Sequence, residues 1–182
     1  AYSSIGHVGY ALIGLAVGTE AGIRAVLIYL TIYLFMNIGT FACILCMRRG
    51  GRMVEGIHDL AGLGKTHPMI ALALAIFMFS MAGIPPLAGF FGKLYVFQAA
   101  IAVELYTLAI IGVLTSVVAA FYYLRIIRIM YFDEAEDPLD QSVDREIGAL
   151  LTLTGILIVA FIAYPEPLVS NAAAAAASLF SS

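Results

Sequence analysis

Gly83-Ile-Pro-Pro-Leu-Ala-Gly-Phe-Phe-Gly-Lys93 is the stretch on which the fold turns. Lys93 is the only formal charge between Met69 and Val103. An ammonium at the centre of a spanning helix costs roughly 2.5–3.5 kcal/mol on insertion scales, so it is rarely found there without a partner or a role. As one continuous helix, Pro68 to Val103 would run about 54 Å, well beyond a hydrocarbon core of about 30 Å. Pro85 and Pro86 also lack the N–H groups that the carbonyls of Met81 and Ala82 would need as helical partners. The spacing therefore predicts a discontinuous helix, broken over residues 83–92, with Lys93 at the start of its second half. Gly83, Gly89 and Gly92 permit close approach and unusual dihedrals. Irregular backbone at membrane depth survives only when buried in protein or lining a wet cavity, and broken helices supply ion and proton sites in transporters.

The surrounding chain supports a membrane setting. Hydrophobic residues make up 63% and charged residues 12%, with a mean hydropathy of +1.01, which excludes an ordinary soluble domain. Uncharged runs predict five spans, at about 1–18, 23–47, 68–103 (broken), 105–130 and 147–164, joined by loops at 48–67 and 131–146. The expected fold is all-α: a polytopic helix bundle forming a single transmembrane domain over 1–182. The chain opens inside an apolar run, Ala-Tyr-Ser-Ser, with neither a basic leader nor an initiator methionine, and is expected to be the C-terminal portion of a longer subunit.

Charge sets the orientation. Arg48, Arg49, Arg52 and Lys65 fall in one loop, and Arg125, Arg128 and Arg145 flank another, whereas the alternate loops hold only Arg24. This bias predicts that loops 48–67 and 131–146 are cytoplasmic and that Glu20, Glu104 and the C-terminal end face outward. The acids Asp133, Glu134, Glu136, Asp137, Asp140, Asp144 and Glu146 contribute little to orientation and read as a solvated loop, with a docking surface for a basic partner as the alternative. Eleven residues separate Lys93 from Glu104, and eleven separate His7 from Gly18, about 16 Å each at helical rise. Lys93 and His7 are thus expected at one depth, near the midplane.

Both suit proton transfer. No acid occurs in any span to neutralise Lys93, and snorkelling is poor at mid-depth. An unperturbed imidazole titrates at about 6.5, although a histidine among Ser3, Ser4 and Tyr10 can equally be a hydrogen-bonded interior residue. Cys43 and Cys46 form a C-x-x-C inside an apolar span and read as buried, reduced packing residues. Asn37, Thr40, Ser80, Gln98, Thr115, Ser116, Tyr122 and Tyr123 read as groups that stitch helices or bind water. Thr66 or His67 is a plausible cap for a helix opening at Pro68. After Pro165 and Pro167, the alanine run 172–177 reads as a short outer-surface helix or a frayed end. There is no glycine-rich nucleotide loop, metal-ligand cluster or activated nucleophile, and no nucleic-acid partner is expected.

Tyr2-Ser-Ser-Ile-Gly-His-Val-Gly-Tyr10, Asn37-Ile-Gly-Thr-Phe41, Asp59-Leu-Ala-Gly-Leu63 and above all Ser80-Met-Ala-Gly-Ile-Pro-Pro-Leu-Ala-Gly-Phe-Phe-Gly-Lys-Leu94 resemble the antiporter-like subunits of respiratory complex I. The likeness covers essentially the whole chain, as roughly the last third of such a subunit. The lysine after the Pro-Pro string and the lack of a long lateral C-terminal helix favour the N-type branch.

The resemblance implies an inverted-repeat antiporter-like fold. In it Lys93 corresponds to a proton-channel lysine on a discontinuous helix, and His7 to a histidine on a central polar axis. The inward half of the pathway would lie upstream of Ala1. The implied function is proton translocation in a bacterial inner membrane, or an organellar counterpart, as part of an NADH:quinone oxidoreductase. FMN, iron–sulfur clusters and quinone would reside on partner subunits, with no cofactor or redox centre on this chain. The alternatives are a subunit of a multi-subunit Na+/H+ antiporter and a purely structural membrane module.

Overall fold

A computed structural model describes residues 2–134, 139–140 and 145–181. Ala1, at the head of the first expected span, and Glu136, Asp137 and Asp144 of the acidic loop lie outside the described residues.

The chain is a helix bundle: α1 (Tyr2–Ala16), α2 (Glu20–Cys46), α3 (Leu63–Thr66), α4 (Pro68–Ala82), α5 (Ala88–Ala102), α6 (Tyr106–Phe132), α7 (Arg145–Ala160) and α8 (Glu166–Phe180). The helices α2 and α6, 27 residues each, are long and apolar enough to cross a membrane. At helical rise they measure about 40 Å. The central element is α2, which touches α1, α4, α5, α7 and α8. Its start is fixed by Thr19, whose hydroxyl accepts from the Gly22 N–H at 3.3 Å. Outside the core, Val8, Leu12, Leu114, Val117 and Phe121 are exposed, the apolar surface that lipid or further helices cover.

Neither α4 nor α5, at 15 residues and about 22 Å each, spans a bilayer alone. Residues 83–87 interrupt the helix between them. The break is shorter than the expected 83–92. Gly89 and Gly92 belong to α5, and Lys93 lies in its second turn rather than at its start. The two prolines alone suffice to stop α4, so the glycines are free to serve packing. Gly89 brings α5 against the end of α4 so closely that a Cβ there would lie 1.9 Å from the Ser80 carbonyl oxygen. Its N–H donates to Ser80 Oγ at 3.0 Å.

The loop after α2 has structure of its own. Arg48–Arg49 and Arg52–Met53 pair as antiparallel β1 and β2, with Arg48 opposite Met53. Gly50 and Gly51 both have positive φ, as a two-residue hairpin turn requires. Their N–H groups donate to the Asp140 carboxylate at 3.0 and 2.8 Å, and the Asp140 N–H donates to the Arg48 carbonyl at 2.7 Å. Leu139 is buried in the core beside it. This part of the acidic loop is anchored on the hairpin, because successive glycine N–H groups make an anion-binding concavity. Arg49 meets Asp59 at 3.5 Å, and the chain turns by 119° at His67 into α4. His67 occupies the N-cap position of α4, with Pro68 in the first turn, but makes no side-chain cap hydrogen bond.

Residues 166–180, within the tail, form the well-defined helix α8, which packs along α2 with Ala172 and Ala176 buried. Cys43 and Cys46 are buried in the main core.

The close contact of α4 and α5 carries a stability prediction. Gly89→Ala collides with backbone and should lower the thermal midpoint of the detergent-solubilised protein, by the equivalent of about 1–3 kcal/mol or more. Gly155→Ala, whose new methyl meets nothing within 4 Å, should hold or raise it. Equal effects of the two would contradict the packing described.

Candidate functional site

A helix leaves its last four carbonyls without intrahelical partners. At the end of α4 these belong to Phe79, Ser80, Met81 and Ala82. Gly83, at φ 82°, turns the chain so that the Ile84 N–H reaches the Phe79 carbonyl at 3.1 Å and the Gly83 N–H reaches the Ser80 carbonyl at 3.0 Å. The remaining two carbonyls are those whose partners Pro85 and Pro86 cannot supply. Lys93 Nζ, coming back across the break from α5, donates to Met81 O at 3.0 Å and Ala82 O at 3.2 Å. Every terminal carbonyl of α4 is accounted for.

The same contacts house the charge. Lys93 is 4% exposed, and its third donor goes to Ser116 Oγ on α6 at 2.7 Å. The ring of Tyr10 lies with its centroid 4.9 Å from Nζ, a cation–π contact. The carboxyl-terminal end of α4 also presents the negative pole of its helix dipole to the ammonium. Among the described residues no carboxylate takes part: the cation rests on neutral oxygens and a π face. Gly83 is needed for this too, since a Cβ there would come within 3.0 Å of the lysine side chain.

His7, 2% exposed, lies on α1. Its Nδ1 meets the Tyr29 hydroxyl at 2.6 Å and its Nε2 meets the Tyr123 hydroxyl at 3.0 Å. Tyr123 also hydrogen-bonds Ser3. The ring stacks on Tyr33 at 4.6 Å, and Tyr33 donates to Ser4 Oγ at 3.0 Å. Tyrosine hydroxyls both donate and accept, so the imidazole keeps two partners whether neutral or charged.

His7, Tyr10 and Lys93 line one cavity of about 170 Å³, bordered on the α6 side by Thr115, Ala119 and Tyr123. That volume has room for several waters. The structure thus brings the two titratable residues singled out in the sequence to the walls of a single chamber. Of the break residues, Gly83, Pro85 and Pro86 shape the lysine's seat, whereas Gly89 and Gly92 set how closely α5 packs.

Sequence reasoning passed over Tyr29 and Tyr33, and assigned Tyr123 and Ser116 to helix stitching. Their spacing held a signal. Tyr29 and Tyr33, one helical turn apart, present two hydroxyls on one face of α2, and Tyr10 follows His7 at i+3.

Known proteins resemble this chain in sequence and in fold. The family described as NADH:quinone oxidoreductase/Mrp antiporter, TM, matches residues 1–119. The chain is 63% identical over 179 residues to NADH-quinone oxidoreductase subunit N of Rhodospirillum rubrum, covering 98% of the chain and 37% of that protein. It is 61% identical over 180 residues to subunit N of Paramagnetospirillum magneticum, covering 99% of the chain and again 37% of the relative. The chain therefore spans well under half the length of these relatives. Among solved structures, a chain of respiratory complex I from Thermus thermophilus superposes with a TM-score of 0.78 at 29% identity, over 93% of this chain and 38% of that one. A chain of the Mrp complex from Dietzia sp. superposes at 0.87 with 22% identity, over 100% of this chain and 42% of that one, a likeness of fold.

The histidine cage is testable by deletion of single hydroxyls. Tyr29→Phe leaves buried His7 Nδ1 without its partner and should cost about 1–3 kcal/mol in thermal unfolding. Tyr33→Phe gives up only a half-buried bond to Ser4 and should cost clearly less, about 1 kcal/mol or below. A reversed order would mean that His7 does not depend on this cage.

Proposed function

The chain belongs to the NADH:quinone oxidoreductase/Mrp antiporter family of transmembrane proteins, and from that membership and its buried lysine we propose that it carries part of a proton path through a membrane subunit of NADH:quinone oxidoreductase. The observation that carries the proposal is the seat of Lys93: a cation without a counter-ion, held by neutral oxygens at a helix break and opening on a cavity shared with His7. A lysine that exchanges protons needs surroundings in which its charged and neutral forms are both tolerable.

In this mechanism, quinone reduction in partner subunits changes the charge in the neighbouring half of the path. That change raises or lowers the proton affinity of Lys93. The amine then takes up a proton from the inner side or releases one through cavity water and the His7 cage toward the outer phase. Flavin, iron–sulfur clusters and quinone are placed on partner subunits, and this chain supplies protonatable groups, orientation and exclusion of bulk water. The proposed setting is a bacterial inner membrane, with loops 48–67 and 131–146 on the cytoplasmic side. Copurification separates this reading from a Na+/H+ antiporter: the assembled complex should carry flavin and iron–sulfur centres, and a complex lacking them would favour the antiporter.

The direct test uses the full-length subunit in its assembled complex, reconstituted into liposomes. In the complexes that assemble, Lys93→Ala should lose this subunit's contribution to proton translocation. Lys93→Arg should not restore it, because a guanidinium stays charged throughout. Unaltered pumping by Lys93→Ala at normal assembly would sink the proposal.

A further inference from the structure

The three oxygens around Lys93 Nζ are not equivalent. A charged ammonium has three N–H donors, and the carbonyls of Met81 and Ala82 together with Ser116 Oγ provide three acceptors. The neutral amine has two N–H donors and one lone pair. The carbonyls can keep the two N–H groups, but a carbonyl cannot donate. Only the Ser116 hydroxyl can turn and offer its own proton to the lone pair. Its contact with Nζ is also the shortest of the three, at 2.7 Å.

The geometry points to Ser116 as the proton-exchange partner of Lys93, the group across which the proton leaves and re-enters Nζ. The inference rests on the translocation reading and deepens it. Backbone carbonyls are dead ends for an excess proton, because they have none of their own to pass on. A hydroxyl accepts one proton while releasing another. On α6, Ser116 directly follows Thr115 and lies one turn before Ala119, both on the wall of the cavity that His7 shares.

Written out, the Nζ–H bond breaks with its electron pair staying on nitrogen, and a new O–H bond forms at Ser116 Oγ. The hydroxyl's original proton passes to an adjacent water, which becomes hydronium. The products are a neutral amine, an unchanged serine and one proton in the water chain. The hydroxyl then rotates to donate to the amine, and reprotonation runs the same steps backward. Ser116 thus accepts from Lys93 in its charged state and donates to it in its neutral state, an exchange of roles that neither carbonyl can make.

Substitutions of opposite character separate this from a packing role. A serine that only fills space between α5 and α6 is replaced well by alanine and poorly by threonine, whereas a serine that exchanges protons needs its hydroxyl. In the full-length subunit, assembled in its complex and reconstituted in liposomes, Ser116→Ala should reproduce roughly half or more of the loss in protons moved per electron that Lys93→Ala causes. Ser116→Thr should restore pumping. Normal pumping by Ser116→Ala, or an equal loss in Ser116→Ala and Ser116→Thr, overturns the assignment. Should Ser116→Ala fail to assemble, Ser116→Gly carries the same expectation and the same overturning result. Normal pumping by Lys93→Ala would remove the translocation reading itself. Loss in Lys93→Ala beside normal pumping in Ser116→Ala would remove only the role of Ser116.

Discussion

The hydrogen bonds from Lys93 Nζ to the carbonyls of Met81 and Ala82 are the contact on which the rest depends. Each partner is costly alone. Two buried carbonyls stripped of helical partners by Pro85 and Pro86 cost about 1–3 kcal/mol apiece, and an unpaired ammonium at mid-membrane costs as much or more. Brought together, they solve each other's problem without a carboxylate. A carboxylate would lock the lysine in its charged form. Neutral oxygens hold the ammonium more lightly, as the proposed proton exchange requires.

The remaining structure fixes that contact in place. Gly89 lets α5 press on the end of α4, Gly83 turns the chain and leaves space for the lysine stem, and α6 brings Ser116 to the third donor. On the far side of the cavity, α2 supplies Tyr29 and Tyr33 to His7, while α6 supplies Tyr123. Thus α2, which touches most of the bundle, and α6, which borders the cavity, together set the spacing between histidine and lysine. The loops at the other end of the bundle are tied separately, through Asp140 on the Gly50-Gly51 turn and Arg49 with Asp59.

Much of this was legible from residue order. The apolar runs set the all-helical bundle, and helical spacing alone named the two carbonyls orphaned by the prolines. Equal counts of residues to the outer turns suggested that His7 and Lys93 lie near one another, and both line one cavity. Other features were not legible, because they arise from tertiary proximity rather than local pattern. Nothing in the sequence states that the lysine folds back onto those same carbonyls, or that Gly89 belongs to a helix and not to the break. The tyrosine cage draws on α2, whose Tyr29 and Tyr33 drew no notice in the sequence, and on α6, whose Tyr123 reads alone as an ordinary helix-stitching group. The Arg48–Met53 hairpin was hidden by its length, with only Gly50-Gly51 to mark it, and the anchoring of Asp140 required that hairpin to exist first.

The most direct measurement of the central claim is isotope-edited infrared difference spectroscopy of the Met81 carbonyl in the full-length membrane-embedded subunit, compared between wild type and Lys93→Met. If Lys93 Nζ closes the break, the labelled band lies at lower frequency in wild type, shifts upward in Lys93→Met, and moves in step with lysine protonation. A Met81 band that is the same in both proteins and indifferent to protonation would contradict the account.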